Sequence, residues 1–585
     1  MRLAFNQTKD RVLFLYDNAK EYKWMHAFPA FIKDGPNFSI PAKVQVLHNV
    51  VQRLKKAKVT LRADQDVADL LSSPFNLRKI PSTFKYFTEP MDYQDIALRY
   101  LYTVGSGGLL LDPGMGKSKV VLDYIHLMSF KKVIIVCPLA LLFVWEDEIP
   151  KHRPELNSYT VKTTDWDSEK EGICNSQVTL INYTKAVGFK QQLKTVGFDF
   201  IHLDEFLIKD VKTERTKSLT DLSYRIPYKC GGSGTLINNT IMDVFCPVRY
   251  LEPALTGVNY KNFFDRHCVS VVVNKGTASQ RNQVVGFKGA EEARSILESC
   301  CIVMTKEKWL KLPKKNFHDI YVPMGAQQQE AYYSLMRNYV ADINGKVIEV
   351  DNPLVMMSKL YQISNGFVYY TPPEEIEEEC RDLIAEDPKK SRKKSKRETI
   401  FLGECAKVDA LKTLLTGKLS DKRAIIWFNM SAEYQLISQM LEVEGQTFMT
   451  IKGGEKATGD KVRKFNNDPS IQWLVCQAKS VNYGITVLGT THEKLEEENI
   501  EVLPDMSPEI HTQVFFSMNF SLEVYLQQQD RIHRLGQKHE CDYYRLFSIS
   551  PVEKRIREAI EGKMELRWEM LVDVAEKLMY ESKEE

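Results

Sequence analysis

Apolar positions fall into two series of short runs, each closed by polar or small residues and followed by a longer stretch with helical spacing. The first series, within residues 89–310, reads GGLLLD, KVIIVCP, QVTLINY, FDFIHLDE and YKCGGSGT. Runs that are apolar at nearly every position predict strands buried on both faces, and their alternation with amphipathic segments predicts βαβ units and a parallel sheet. The second series, within 405–550, reads RAIIWFN, QTFMTIKG, QWLVCQ, TQVFFSMN and DYYRLFSI. Two α/β lobes are therefore expected.

Residues 1–88 have no Gly-rich loop and combine strand-like pieces (RVLFLYD, KYFTEP) with a helical pattern, VQVLHNVVQRLKKAKV, which predicts a small α+β accessory domain. Residues 311–404 are expected to form a helical inter-lobe segment ending in PPEEIEEECRDLIAEDPKKSRKKSKRE, an acidic block that runs into a basic one and reads as a solvated linker or extended surface helix. Residues 551–585 are expected to form a helical brace.

At 585 residues, the chain is long enough for several compact units. Lys+Arg 79 against Asp+Glu 77 leaves a net charge of +2, so a grip on a polyanion must come from charge placed locally, and a wholly basic binder is excluded. Hydrophobic residues at 43% and charged residues at 27% exclude wholesale disorder. The amino terminus, MRLAFNQTKDRVLFLYDN, has no small-residue cleavage site, and the apolar run from Val133 to Trp145 is short and holds Pro138. An intracellular, soluble chain without membrane contact is the expectation. The 11 cysteines form no C-x-x-C pair, so structural zinc is not expected, and Cys300 and Cys301 sit in an apolar stretch that reads as core.

Chemistry concentrates in three places. In LLLDPGMGKSKVVLDYI an apolar strand passes through Gly114 and Gly116 into a helix opened by Lys117 and Ser118. Small residues allow backbone N–H groups to turn onto phosphate oxygens, Lys117 can reach the terminal phosphates of a nucleotide, and Ser118 can hold Mg2+. Only the second half of G-x-x-x-x-G-K-S/T is matched, because Leu111 stands at its first Gly. In FDFIHLDE an apolar run ends in Asp204 and Glu205, suited to binding Mg2+ and to orienting and deprotonating the attacking water. In QQQDRIHRLGQ, Arg531 and Arg534 stand three apart, the spacing of one helix face, and suit delivery of an arginine finger to a γ-phosphate.

In this order the segments resemble the SWI/SNF-type ATPases of helicase superfamily two from about residue 90 to 575. MDYQDIALRYL resembles the adenine-side Q segment, LLLDPGMGKS motif I, IIVCPLALLFVWEDEI motif Ia, and DEFLIKDVKTERTKSL motif II. GSGTLINN resembles motif III, AIIWFN motif IV, SVNYGITV motif V and QQQDRIHRLGQ motif VI. The resemblance implies two RecA-like lobes, ATP and Mg2+ as ligands, Gln94 on the adenine side, and a monomeric motor on duplex or branched DNA with little sequence specificity. It also implies nucleic-acid or coupling contacts at Asn182, Lys209, Thr235 and Asn238. Strand-separating helicase action on DNA or RNA, or nucleotide-gated DNA binding with little turnover, are the alternatives. Three departures stand out: Leu207 where the family commonly has the motif II His, a motif V reduced to Asn482-Tyr483-Gly484, and an acidic stretch at 490–510. The segment FPAFIKDGPNFSIPAKVQVLHNVVQRL resembles the HARP modules of annealing helicases, which implies recognition of branched DNA by residues 1–88.

Overall fold

The structure is a computed structural model that describes residues 1–5, 7, 11–15, 32–34, 37–41, 47, 50–51, 54, 59, 61–72, 77–234, 241–256, 260–273, 281–350, 353–371, 397–403, 405–453, 458–478, 487, 510–519, 521–534 and 536–561. Two compact units result, Met1–Lys311 and Leu312–Glu585. Most of the charged run at 373–400, the reduced motif V, the acidic stretch, and Thr235 and Asn238 lie outside the described residues.

The first unit opens with a five-stranded sheet of β1 (Arg2–Phe5), β2 (Arg11–Leu15), β3 (Ile32–Asp34), β4 (Asn37–Pro41) and β5 (Arg62–Ala63), in the order β3-β4-β2-β1-β5. Leu47, Val50, Val51 and Leu54, which carry the helical spacing of VQVLHNVVQRLKKAKV, are helical and buried. The piece KYFTEP forms no strand and runs as coil with a bend at Phe87 and Thr88.

The lobe proper is a seven-stranded sheet: β6 (Gly107–Leu111), β7 (Val133–Cys137), β8 (Ser158–Thr160), β9 (Val178–Asn182), β10 (Phe200–Asp204), β11 (Tyr228–Gly232) and, after the hairpin β12 (Cys268–Val273) and β13 (Arg281–Phe287), β14 (Cys301–Met304). All its pairings are parallel, in the order β14-β6-β11-β10-β7-β9-β8. Every residue of β6, β7, β9 and β10 is buried, which is why these strands read as unbroken apolar runs. Because β11 lies between β6 and β10, the loops carrying Lys117, Asp204 and Ser233 leave three neighbouring strands at the same edge, where parallel sheets form their sites. Cys300 and Cys301 are buried, as expected.

The second unit holds β15 (Lys315–Val322), the hairpins β16 (Val340–Ile343) with β17 (Lys346–Glu349) and β18 (Phe367–Tyr370) with β19 (Glu398–Phe401), then β20 (Ala424–Phe428), β21 (Phe448–Ile451), β22 (Trp473–Gln477), β23 (Thr512–Phe515) and β24 (Cys541–Ser548). Its six-stranded sheet, in the order β15-β24-β23-β20-β22-β21, is also parallel throughout. Residues 311–404 are therefore more than a connector, since they supply this sheet's edge strand β15. The ten strands read from apolar runs are all present, and the chain is α/β with two RecA-like parallel-sheet lobes. Among the described residues no helix is long and apolar enough to cross a membrane.

Candidate functional site

The loop after β6 turns through Gly114 at φ 83° and Gly116 at φ 73°, left-handed values that favour glycine, and Gly116 caps the helix Lys117–Leu127. A Cβ on Gly116 would overlap Gln94 Nε2, so size as well as φ demands glycine there. Gln94 is buried on the helix Asp92–Val104, and its Nε2 donates to Met115 O at 3.2 Å while its Oε1 accepts from Met91 N at 3.0 Å. Its amide thereby braces the loop from behind. Lys117 Nζ donates to Leu111 O at 2.9 Å, and Ser118 follows in the helix's first turn.

Asp204 ends β10 and is buried. Its Oδ2 accepts from Trp145 Nε1 at 2.9 Å. Burial, reinforced by the Glu205 charge, raises the Asp204 carboxyl above the usual range, while Lys117 and the Trp145 N–H pull it back. Glu205 has φ 49°, a left-handed value costing about 1–2 kcal/mol in a residue with a Cβ. Tyr183 Oη holds this kink, donating to Asp204 O at 2.9 Å, and Phe206 N closes it on Gly232 O at 3.2 Å. Ser233 Oγ donates to Glu205 Oε2 at 3.3 Å, which ties the carboxylate directly to the motif III strand although residue 207 is Leu.

Two glycines make this packing possible. A Cβ on Gly231 would overlap the buried Phe206 ring, so the bulky third residue of Asp-Glu-Phe-Leu is accommodated by the neighbouring strand. A Cβ on Gly232 would lie 3.3 Å from Lys117 Cδ, 3.5 Å from His202 Cε1 and 3.8 Å from Asp204 Oδ1, which shows how closely these three converge. His202 is buried, with its ring 5.5 Å from that of Trp145, and burial followed by the Lys117 charge pushes it down to about 3, so it is neutral.

These residues fit a nucleotide with Mg2+. The loop is small and turned, a lysine and a serine open the helix, and a buried carboxyl driven toward neutrality gains from a divalent cation. Trp145, Tyr183 and Ser233 escaped sequence reasoning as site residues. Each lies inside a quoted segment, but only the fold brings it onto Asp204 or Glu205.

Other expected positions are placed differently. Asn182 is buried and caps the helix Tyr183–Gly188, its Oδ1 accepting from Lys185 N at 2.9 Å. Lys209 is half-buried in the coil after Glu205. In the second unit the helix Leu522–Gln529 ends before both motif VI arginines, so they do not share a helix face. Arg531 N bonds Gln528 O at 3.1 Å in a tightened last turn, which buries Arg531 and leaves Arg534 half-buried in the following bend.

The SNF2-related domain family matches residues 37–366. The DNA repair and recombination protein RDH54 of Saccharomyces cerevisiae (strain JAY291) is 23% identical over 454 residues, covering 73% of this chain and 45% of that protein. The TATA-binding protein-associated factor mot1 of Schizosaccharomyces pombe is 22% identical over 462 residues, covering 72% and 22%. The chain thus spans less than half the length of these relatives. A solved structure, the Sulfolobus solfataricus SWI2/SNF2 ATPase core in complex with dsDNA, aligns over 87% of this chain and 97% of that one, at 18% identity and a TM-score of 0.37. With a family match over more than half its length, the chain belongs to the SNF2-related domain family.

Proposed function

We propose that the chain is an ATP-driven motor that moves on duplex or branched DNA. The observation that carries this reading is the convergence of Lys117 and Asp204 beside Gly232, with Glu205 held by Ser233, at the shared edge of β6, β10 and β11. Gly114, Gly116, Lys117 and Ser118 would hold the phosphates of ATP, with Gln94 toward the adenine. Ser118 and Asp204 would hold Mg2+, which when bound neutralises charge that develops on the phosphates. Glu205 would accept the proton of the attacking water, and Trp145 would fix the Asp204 carboxylate by its N–H. Arg531 and Arg534 of the second unit would act on transition-state charge.

Opening and closing of two such lobes around hydrolysis can be converted into steps along a phosphate backbone. Asn182, Lys209, Thr235 and Asn238 are the proposed contacts on the first lobe, with the Asn182 side chain available only if its cap is released. Annealing, branch migration or fork remodelling is the proposed outcome, with residues 1–88 selecting branched DNA, and the chain working as a soluble intracellular monomer. The test is ATP hydrolysis in the presence of single-stranded, duplex, forked and four-way DNA, with RNA as control. Stimulation by any DNA sequence, falling with salt as counterion release is lost, is expected. Stimulation by RNA alone would overturn the reading.

A further inference from the structure

The segment that joins the amino-terminal domain to the lobe alternates strictly: Phe84, Tyr86 and Thr88 are half-buried, while Lys85, Phe87 and Glu89 are exposed. The half-buried side chains of this segment meet three helices. Tyr86 Oη donates to Asp95 Oδ1 at 2.6 Å on the helix that carries Gln94. The same ring lies 5.2 Å from Lys119 Nζ, on the helix that begins with Lys117 and Ser118. Phe84 covers the Arg153 guanidinium at 4.9 Å, and Arg153 Nη1 donates to Lys85 O at 3.1 Å. Arg153 caps the helix Leu142–His152, which carries Trp145, and Thr88 Oγ1 meets His152 Nδ1 of that helix at 2.6 Å.

Beneath the segment lies a buried charge cluster. Asp123 serves both Lys119, at 2.7 Å from Oδ2, and Arg153, whose Nε reaches Oδ1 at 2.8 Å. All three side chains are buried, and Glu155 reaches Arg153 Nη1 only at 3.6 Å from a more exposed position. The faces of Tyr86 and Phe84 add their negative potential to the carboxylates that hold these two buried cations.

We infer that residues 84–88 are a positioning strap: they lock together the three helices that carry Gln94, Lys117 with Ser118, and Trp145, and so set the nucleotide affinity of the site. This rests on the reading of that site as nucleotide-binding and adds residues that touch no ligand themselves.

The experiment compares full-length wild type with Tyr86→Leu, Phe84→Leu and Tyr86→Phe, measuring Mg·ATP KM, kcat, the Kd of Mg·ADP and the thermal midpoint. Leucine keeps apolar bulk but has no π face, whereas Tyr86→Phe keeps the ring and loses only the bond to Asp95. Tyr86→Leu and Phe84→Leu should raise KM and Kd about tenfold with kcat within about twofold, and Tyr86→Phe should recover most of that loss. Phe263→Leu, a core change in the helix Tyr260–His267, should lower the thermal midpoint without moving KM. Unchanged KM and Kd in the folded leucine variants would overturn the strap alone, as would an equal rise in Phe263→Leu. A wild-type chain that binds neither Mg·ATP nor Mg·ADP would overturn the nucleotide site and the strap together.

Discussion

The two lobes share one design, an all-parallel sheet whose strand ends carry the polar residues, yet those ends are chemically unlike. In the first, Lys117, Asp204 and Glu205 are charged groups gathered where burial holds one carboxyl above its ordinary range. In the second, the ends of β20, β21, β22 and β23 are laced by neutral groups. Gly453 N donates to Gln477 Oε1 at 3.0 Å, Gln477 Nε2 to Asn429 O at 3.3 Å, Asn429 Nδ2 to Ser517 Oγ at 2.7 Å, and Asn519 Nδ2 to Asn429 Oδ1 at 2.8 Å. The carboxylate nearby, Glu433, accepts from Asn429 N at 2.7 Å and Ser517 Oγ at 2.8 Å. One edge is poised to take a charged ligand, and the other is already hydrogen-bonded within itself. Topology fixes where a site can form, and the residues at the strand ends decide what it does.

The contrast can be broken at Arg534, a charged residue of the second lobe. Arg534→Ala should lower ATP turnover by roughly 10³-fold with little change in nucleotide affinity, and Arg534→Lys should restore little because a point charge lacks the planar fork. Steady-state kinetics beside nucleotide binding would check this, and a near-normal rate would return Arg534 to a structural role. Glu205→Gln should come next, with hydrolysis reduced by roughly 10²-fold and ATP still bound. Loss of binding with turnover would mean that Glu205 holds the fold of the loop and not the water.

Smaller effects sharpen the comparison. Gly231→Ala forces a methyl into the Phe206 ring and should cost about 1–3 kcal/mol in denaturant unfolding, part of which Phe206→Ala should recover in the double variant. Additive losses would show that the two residues are independent. Asn429→Ala removes the centre of the neutral lattice and should cost about 1–2 kcal/mol while leaving ATP affinity unchanged, since that edge carries no nucleotide ligand in this account. A weaker ATP KM in that variant would blur the distinction between the lobes.

What the sequence conveyed follows from how each element is stabilised. Strands buried on both faces must be apolar at nearly every position, so β6, β7 and β20 were legible as unbroken apolar runs, as was the glycine-lysine-serine turn after β6. Strands at sheet edges carry no such demand: β15, KNFHDIYV, mixes polar and apolar residues, and β8 has only three residues. Motif VI misled because a spacing of three fits a helix face, while nothing local announces that the helix closes at Gln529 and buries Arg531 in the next turn. Trp145 and Ser233 reach the carboxylates, and Tyr183 the Asp204 backbone carbonyl, through tertiary pairing of β7, β9, β10 and β11, which no local pattern encodes. The space that Phe206 needs is made by Gly231, which sits on another strand and so is not legible locally.

The central claim, a nucleic-acid motor driven by the charged edge of the first lobe, is tested most directly by phosphate release from wild type and Glu205→Gln, with and without two unrelated DNA duplexes and one RNA duplex. The account predicts that both DNA duplexes accelerate the wild type to similar extents, that RNA does so weakly, and that Glu205→Gln is slowed by roughly 10²-fold throughout while still binding Mg·ATP. Hydrolysis that ignores DNA, or that persists undiminished in Glu205→Gln, would contradict it.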